Sequence, residues 1–246
     1  MKMAANIVGN DLKSRLGSVR DSIVDAAQSA GRDPAEITLI AVSKTHPIDS
    51  IKEARIAGQV DFGENRVQEA EGKIPKLAGA GARWHLIGHL QSNKARKAVQ
   101  LFDVIQSVDS VDIAVRLDRV CDELNRSSLD LLVQVDLGGE DSKTGIDVDE
   151  LPSVIDTIHN SRHLKLVGLM TLPPYFEDPE DTRPYFRRLR ELRDELNRDG
   201  AFRDASGQLS MGMSHDFKVA ISEGATIVRV GTAIFGERIH KQQSGL

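Results

Sequence analysis

The sequence predicts an α/β protein built as a single (β/α)8 barrel, with one extra helix before the first strand. Short apolar runs alternate with segments of helical spacing along the chain. These runs lack polar alternation, which is typical of parallel strands covered on both faces. The 246 residues suit one such barrel, and no Ser/Gly/Pro-rich linker divides them. We therefore expect one domain over residues 1–246, with a barrel core at about residues 34–238.

Eight strands are predicted from short runs rich in β-branched and aliphatic side chains. Polar residues or glycines follow most of these runs directly, as they do where a buried strand reaches the rim of a barrel. The predicted strands are residues 37–43, 60–63, 84–87, 104–108, 129–135, 166–171, 208–213 and 226–230.

Segments with helical spacing fill the seven gaps between these strands. A further amphipathic segment, residues 11–30, precedes the first strand and carries its apolar side chains on one stripe. Gly58, Gly200 and Gly224 follow helical patterns, where a left-handed residue that ends a helix is expected. The seven predicted helices are residues 48–56, 65–77, 92–101, 111–124, 149–158, 182–196 and 215–223.

The composition argues against several classes of protein. A formal net charge of −5 argues against nucleic-acid binding, which needs clustered Lys and Arg. No apolar run approaches the ~20 residues of a membrane-spanning helix, and polar residues interrupt the N-terminal apolar stretch, so we expect no signal peptide. The single cysteine, Cys121, cannot form an internal disulfide and indicates a reducing compartment, so we expect a cytoplasmic protein.

Lys44 is the strongest candidate for a reactive residue in the sequence. In (β/α)8 barrels the active site lies at the carboxyl ends of the strands, and Lys44 follows the first predicted strand directly. Partial desolvation there would lower its pKa and supply a neutral amine, the nucleophile that forms a Schiff base with an aldehyde. The alternative is a lysine whose stem packs at the barrel mouth while its charge reaches water.

The loops after the seventh and eighth strands suit a phosphate group, as they often do in these barrels. Gly212 allows close approach of the backbone, and Ser214 stands where it could cap the next helix. Gly231 and Thr232 add backbone N–H groups and a second hydroxyl. Ser214 could simply cap a helix and Gly231 simply turn the chain, but both loops together favour a phosphate.

Arg229, on the last predicted strand, has two readings. An inward arginine beside a pyridine nitrogen would keep that nitrogen unprotonated, because arginine only donates hydrogen bonds, and the ring would be a weaker electron sink. The alternative is a structural ion pair with a carboxylate. His85 and His89 are predicted to pack and to hydrogen-bond at the rim, since no partner stands at a metal-ligand spacing.

Six motifs, in order from about residue 37 to residue 235, resemble the YggS/PROSC family of pyridoxal phosphate homeostasis proteins. A single motif of this length would be weak, whereas six in register are specific. The motifs are AVSKT at 41–45, FGEN at 62–65 with VQE at 67–69, WHLIGHLQSNK at 84–94, GLM at 168–170, LSMGMS at 209–214 and VRVGTAIFG at 228–236.

The resemblance implies a barrel like the N-terminal domain of alanine racemase, with pyridoxal 5′-phosphate (PLP) held as a Schiff base on Lys44. It implies Asn65 beside the cofactor ring and Arg229 near the pyridine nitrogen. The remaining implied cofactor-binding residues are Met211 within its motif and, at the phosphate, Ser214, Gly231 and Thr232. Lys143 resembles a second family lysine that takes PLP during transfer.

The implied function is PLP homeostasis, in which the protein holds PLP and buffers or delivers it. Small amines, amino acids and apo-PLP enzymes are the expected partners, and a monomer is the expected state. Racemases of this fold add a tyrosine from a β-domain, and this chain ends ten residues after Gly236, so we expect no such C-terminal β-domain. Neither tyrosine, Tyr175 or Tyr185, is a good substitute, which favours a carrier over an enzyme.

Two enzymatic alternatives stay open. The first is a fold-type III PLP enzyme that acts on small amino acids as a racemase, lyase or decarboxylase. The second is a PLP-free barrel enzyme that uses Lys44 on a sugar phosphate, as aldolases do.

Overall fold

Eight parallel strands form a closed barrel in the computed structural model, which describes residues 2–77, 81–139, 144–202 and 206–236. The strands follow one another in chain order, and the last pairs with the first through Ile40 and Arg229 among others. The predicted (β/α)8 architecture is therefore confirmed. None of the described helices combines the length and the apolar character needed to cross a membrane.

The observed strands agree with the predicted ones to within two residues at each end. This agreement follows from burial on both faces, which makes each strand a nearly continuous apolar run. The strands are β1 Thr38–Val42, β2 Asp61–Glu64, β3 Arg83–Leu86, β4 Val104–Val108, β5 Leu129–Gln134, β6 Leu164–Met170, β7 Gln208–Met213 and β8 Ile227–Val230.

The helices lie where helical spacing predicted them, and several have shorter α-helical parts than predicted. Single 3-10 turns account for much of the difference, because Ile74–Leu77 continues α3 while Ser92–Lys94 and Val148–Glu150 precede α4 and α6. The α-helices are α1 Lys2–Ser29, α2 Ile48–Ile56, α3 Val67–Lys73, α4 Ala95–Leu101, α5 Val111–Glu123, α6 Leu151–Asn160, α7 Arg183–Arg198, α8 Phe217–Ser222 and α9 Thr232–Phe235.

Two helices differ from the expectation. α1 begins at Lys2 and not at residue 11, because Gly9, Asn10 and Asp11 are weak helix formers that hide its first turns from a propensity argument. α9 was not predicted, since its four residues are too few to show a helical period. Gly58, Gly200 and Gly224 all have positive φ angles, which confirms their predicted position at helix ends.

The buried apolar side chains form two distinct clusters, one inside the barrel and one between the barrel and its helices. Five buried side chains from five strands form a small interior cluster: Ile40, Val104, Leu132, Met170 and Ile227. Side chains alternate across a strand, so Arg229 lies on the same inner face as Ile227, two residues nearer the carboxyl end of β8. The interior therefore changes from apolar to polar towards the mouth.

α1 covers the part of the barrel where the first and last strands meet. It packs against α2, α8 and α9, and its buried stripe includes Leu12, Leu16 and Val19. Arg15 donates from Nε to the carbonyl of Ile234 at 2.8 Å, which ties α1 to the end of α9. The extra helix thus supports the loop after β8, which belongs to the candidate site.

Candidate functional site

Lys44 lies at the mouth of the barrel, two residues beyond the end of β1. Its side chain is half-buried, as expected for a strand-end lysine whose stem packs against the rim. Thr45, the next residue, has a φ of 67°, in the left-handed region that non-glycine residues rarely adopt. The chain therefore turns sharply just after the candidate nucleophile.

Two side chains bond to the backbone on either side of Lys44, and a third binds the side chain of Ser43. Lys73 of α3 donates from Nζ to the carbonyl of Ser43 at 2.8 Å, and the N–H of Thr45 donates to Glu69 Oε1 at 2.5 Å. The hydroxyl of Ser43 donates to Glu64 Oε1 at 2.7 Å. The first two of these bonds hold the peptide groups before and after Lys44.

One ammonium group in this cluster pairs with two carboxylates. Glu64 is fully buried and Lys73 is 7% exposed, and Lys73 Nζ lies 2.9 Å from Glu64 and 2.6 Å from Glu69. Burial raises the pKa of Glu64, and the charge of Lys73 opposes that rise. The ammonium group has three hydrogens and three acceptors, so each hydrogen has a partner.

Asn65 follows β2 beside a close contact between two backbone segments. A Cβ atom on Gly88 would lie 2.3 Å from the carbonyl oxygen of Asn65, so only glycine fits there. Ser107 donates to the carbonyl of Gly88 at 2.7 Å and holds that loop in place. Asn65 Oδ1 is buried and has no hydrogen-bond partner within the described part of the chain. An acceptor of this kind at the rim suits a bound polar group.

Arg229 points into the barrel. It is 3% exposed, and it donates from Nη1 to Ser210 Oγ at 2.6 Å and from Nη2 to the carbonyl of Thr171 at 2.9 Å. Burial lowers its pKa to about 10, while the charge of Asp216 acts in the opposite direction. Both of these partners are neutral oxygens, and in the described ranges no carboxylate pairs with the guanidinium. The guanidinium therefore points inward and is bonded to neutral oxygens among the described residues, and its position beside a pyridine nitrogen stays a prediction.

The loops after β7 and β8 meet at Ser214. Its Oγ lies 3.4 Å from the N–H nitrogen of Gly231 and 3.3 Å from the hydroxyl of Thr232. Gly212 has a φ of 91°, and a Cβ there would lie 2.9 Å from Phe217 Cα, so the tight approach of β7 to α8 needs glycine. Two hydroxyls and a backbone N–H thus converge at one end of the mouth.

Ser214 does not cap α8, which corrects one expectation. α8 begins at Phe217, and Asp216 is the residue before it. The carboxylate of Asp216 accepts the N–H of Met213 at 2.6 Å and closes the turn that carries Ser214. Burial raises the pKa of Asp216, and its bond to Met213 and the charge of Arg229 oppose that rise. The Ser214 hydroxyl therefore faces Gly231 and Thr232 and not the helix.

The structure does not support a role for the Met211 side chain. Ser210 bonds inside the barrel to Arg229, so Met211, its neighbour on β7, points outward by strand alternation. Met211 is fully buried in the core between strands and helices. At most its backbone can reach a ligand. Lys143 lies outside the described residues.

Two histidines occupy the rim and a third lies inside the barrel. His46 stacks on Phe235 of α9 with ring centroids 4.9 Å apart, which joins the Lys44 loop to the end of the barrel. His89 Nδ1 lies 2.9 Å from Asp109 Oδ2, whereas His85 is buried in the interior. Over the described ranges no three His, Cys, Asp or Glu side chains converge in a way that could hold a metal ion.

The cysteine plays no part at the mouth. Cys121 is fully buried in α5, and burial raises the pKa of its thiol to about 11. A thiol in this state is a poor nucleophile at neutral pH.

Sequence reasoning missed Lys73, which bonds to the backbone beside Lys44. The available signal was its position four residues after Glu69 on a predicted helix, a spacing that brings two side chains together. That spacing is common on solvated helix faces, so the sequence alone gave no reason to place the pair beside Lys44.

Comparisons with known proteins agree with this geometry. The family described as alanine racemase, N-terminal domain, matches residues 16–239. The pyridoxal phosphate homeostasis protein of Aquifex aeolicus is 44% identical over 224 residues, which are 91% of this chain and 97% of that protein. The structure of PipY from Synechococcus elongatus with PLP bound is 42% identical with a TM-score of 0.80, and the match covers 92% of this chain and 100% of PipY.

A more distant relative shares the fold alone. Alanine racemase of Clostridium difficile is 15% identical with a TM-score of 0.69, and the match covers 93% of this chain and 57% of that enzyme. The close matches extend over nearly the whole chain, and the distant one identifies the barrel. The chain therefore belongs to the pyridoxal phosphate homeostasis protein family, built on the barrel of the alanine racemase N-terminal domain.

Proposed function

We propose that this protein binds PLP as a Schiff base on Lys44 and buffers or delivers the cofactor. The observation that carries the proposal is the convergence of three complementary groups at one barrel mouth. These are a half-buried amine on a fixed backbone, an inward guanidinium, and a cluster of two hydroxyls with a backbone N–H. The PipY relative, whose structure has PLP bound, supports the same assignment.

The covalent step needs only the amine of Lys44 and the aldehyde that PLP supplies. The lysine nitrogen forms a double bond to the aldehyde carbon, the carbon–oxygen double bond breaks, and the oxygen leaves as water. No oxidant or reductant is required, and water or another amine reverses the step. Reversibility suits a protein that must both hold and release its ligand.

Ser214, Gly231 and Thr232 are proposed to hold the phosphate. Their mutual contacts of 3.3 and 3.4 Å are long for hydrogen bonds. Little hydrogen-bond energy is therefore lost when the donors turn towards an anion. Gly231 also brings the backbone close to β1, where a Cβ would contact Val42 at 3.4 Å. The phosphate end of the ligand would therefore lie next to the strand that carries Lys44.

Arg229 is proposed to donate to the pyridine nitrogen, and Asn65 to lie beside the ring. Arginine can only donate, so the ring nitrogen stays unprotonated and withdraws fewer electrons from a bound amino acid. Such a site holds PLP without strongly activating it. This argument favours a carrier over an enzyme.

The pair of His89 and Asp109 keeps a fold-type III enzyme as the second candidate. Asp109 orients the His89 ring, whose other nitrogen could accept or donate a proton at the rim. His89 is 49% exposed, however, so water competes for that nitrogen. Turnover of alanine or serine at ~1–1000 per second would favour the enzyme, whereas a spectral shift without turnover would favour the carrier.

The remaining parts of the proposal concern context. We propose small amines, amino acids and apo-PLP enzymes as recipients, a monomer as the working state, residues 1–246 as one domain and the cytoplasm as the location. Lys143 is retained as a second lysine that takes PLP during transfer. The buried thiol of Cys121 suits a reducing compartment, since it takes part in no disulfide.

The test is borohydride reduction of the PLP-loaded protein followed by peptide mass mapping. A pyridoxyl group should appear on the peptide that contains Lys44, and the absorbance at about 420 nm should be lost on reduction. Lys44→Ala should remove the label, and the exposed lysine variant Lys218→Ala should keep it. A label that persists unchanged on other peptides in Lys44→Ala would contradict the assignment, and a residual label confined to Lys143 would support its proposed role.

A further inference from the structure

A chain of hydrogen bonds crosses the barrel interior from Arg229 to Asp61. Arg229 Nη1 lies 2.6 Å from Ser210 Oγ, and Ser210 Oγ lies 2.6 Å from Gln106 Oε1. Gln106 Nε2 lies 3.0 Å from His85 Nδ1, and His85 Nε2 lies 2.9 Å from Asp61 Oδ1. The chain runs from β8 through β7, β4 and β3 to β2.

Burial separates the two ends of this chain. Arg229, Ser210, Gln106 and His85 are each at most 3% exposed, whereas the Asp61 side chain is 19% exposed. Asp61 is the first residue of β2, and Asn65 follows the last, so Asp61 is roughly 10 Å from the mouth at 3.3 Å per residue. The chain thus links the mouth of the barrel to its opposite end.

Arginine sets the direction of every bond in the chain. A guanidinium has no acceptor, so Ser210 must accept from Arg229 and pass its own hydrogen to the Gln106 oxygen. The Gln106 amide then presents its NH2 group to His85 Nδ1, which must accept. His85 consequently carries its proton on Nε2 and donates it to the Asp61 carboxylate. Donation runs one way, from a cation to an anion.

This arrangement orients groups and does not conduct protons. A proton on His85 Nδ1 would face the N–H of Gln106, so this orientation of the amide requires the ring proton on Nε2. A glutamine amide does not relay protons readily, and arginine keeps its own. Hydrogen bonds aligned between opposite charges strengthen one another at low dielectric, which makes the chain stiff.

We propose that Asp61, His85, Gln106 and Ser210 are positioning residues that fix the orientation of Arg229 at the mouth of the barrel. Ser210 holds one arm of the guanidinium and the Thr171 carbonyl holds the other. Two of the five N–H groups are committed in this way, and the plane of the remaining donors is set. The meaning of this orientation for PLP rests on the proposed function above, because Arg229 is there the partner of the pyridine nitrogen.

The experiment compares two buried glutamines in the full-length protein. Gln106→Leu removes the middle of the chain, and Gln134→Leu removes a similar amide on β5 that bonds instead to Thr144. Before PLP is added, 15N NMR of labelled arginine and histidine reports the rotation of the Arg229 guanidinium and the protonated nitrogen of His85. PLP affinity is then measured by titration on the same samples.

We expect separate Nη signals for Arg229 and a proton on Nε2 of His85 in the wild type and in Gln134→Leu. In Gln106→Leu the Nη signals should merge, because the guanidinium can rotate, and the dissociation constant for PLP should rise about 3–10-fold. Merged signals in the wild type, equal behaviour of the two variants, or a proton on Nδ1 of His85 would overturn the proposal. If the NMR signals behave as expected but the protein binds no PLP, the proposed function is overturned and the positioning chain is retained.

Discussion

Thr45 marks the place where one residue stores strain beside the candidate nucleophile. Its left-handed φ of 67° is unfavourable for a β-branched side chain, and the 2.5 Å bond to Glu69 holds it there. Lys73 bonds to Glu69 and to the carbonyl of Ser43 at the same time. One ammonium group therefore supports the backbone on both sides of Lys44.

We predict that Lys73→Met destabilises the protein by about 3–5 kcal/mol, because it leaves the buried Glu64 charge without its partner. Urea unfolding at neutral pH measures the loss. The double variant Lys73→Met with Glu64→Gln should recover part of it, since no unpaired charge remains. Equal stability of the single and double variants would show that the charge of Glu64 is not the cause.

At the scale of elements, arginines bind the carbonyl ends of several helices and join each to a neighbour. Arg20 of α1 donates to the carbonyls of Ala57 and Gly58 after α2, and Arg126 donates to those of Val99 and Phe102 at the end of α4. A cation at the carboxyl end of a helix satisfies unpaired carbonyls and opposes the helix dipole. These bonds hold the outer helices in register.

α7 uses its arginines in a different way. Arg183, Arg187 and Arg190 all reach Glu223, the residue that follows α8, at 2.9, 3.2 and 3.0 Å. Exposed ion pairs are also present on α7, because Arg188 lies 3.6 Å from Glu191 and 3.5 Å from Glu195. Burial would raise the pKa of Glu223, but the arginines together hold it below its ordinary value.

We predict that Glu223→Gln lowers stability by about 1–3 kcal/mol at neutral pH, a moderate figure because the arginines are partly exposed. A lowered folded pKa gives stability that is present above the ordinary value of 4.5 and is lost as pH falls below it. The difference between wild type and variant should therefore narrow in acid. Urea unfolding of the wild type and the variant, at neutral pH and below pH 4.5, measures the difference in their free energies of unfolding. A difference that does not change with pH would refute the ion-pair explanation.

At the scale of the whole molecule, α1 closes the barrel over its first and last units. Leu16 is 1% exposed in the layer between α1 and the helices next to it. We predict that Leu16→Ala costs about 2–5 kcal/mol and speeds amide hydrogen exchange in α8 and α9 more than in α4 and α5. The exposed Val115 of α5 supplies the matched control, and Val115→Ala should cost under about 0.5 kcal/mol. Uniformly faster exchange would contradict a local role for α1.

The fold was predictable because a strand buried on both faces appears in the sequence as a run of apolar residues, and because glycines end several helices. The positions of Lys44 and Ser214 near the mouth were predictable because each follows such a run, and that of Arg229 because it lies near the carboxyl end of one. Lys73 and Gln106 were not, since each gains its role from partners distant in sequence, such as Ser43 and Ser210. The contact that Met211 makes was not predictable, because a motif names a segment, whereas strand alternation decides which side chains face inward.

The stacking of His46 on Phe235 has a consequence for when the protein can first take up a ligand. The ring pair joins the loop after the first strand to the last described helix, so the groups around the mouth come from both the early and the late parts of the sequence. A nascent chain on the ribosome has Lys44 early but lacks the loops proposed to bind phosphate until translation is nearly finished. Under the proposed function, PLP would therefore bind after translation, and truncated translation products would have the lysine without the loops proposed to retain the ligand.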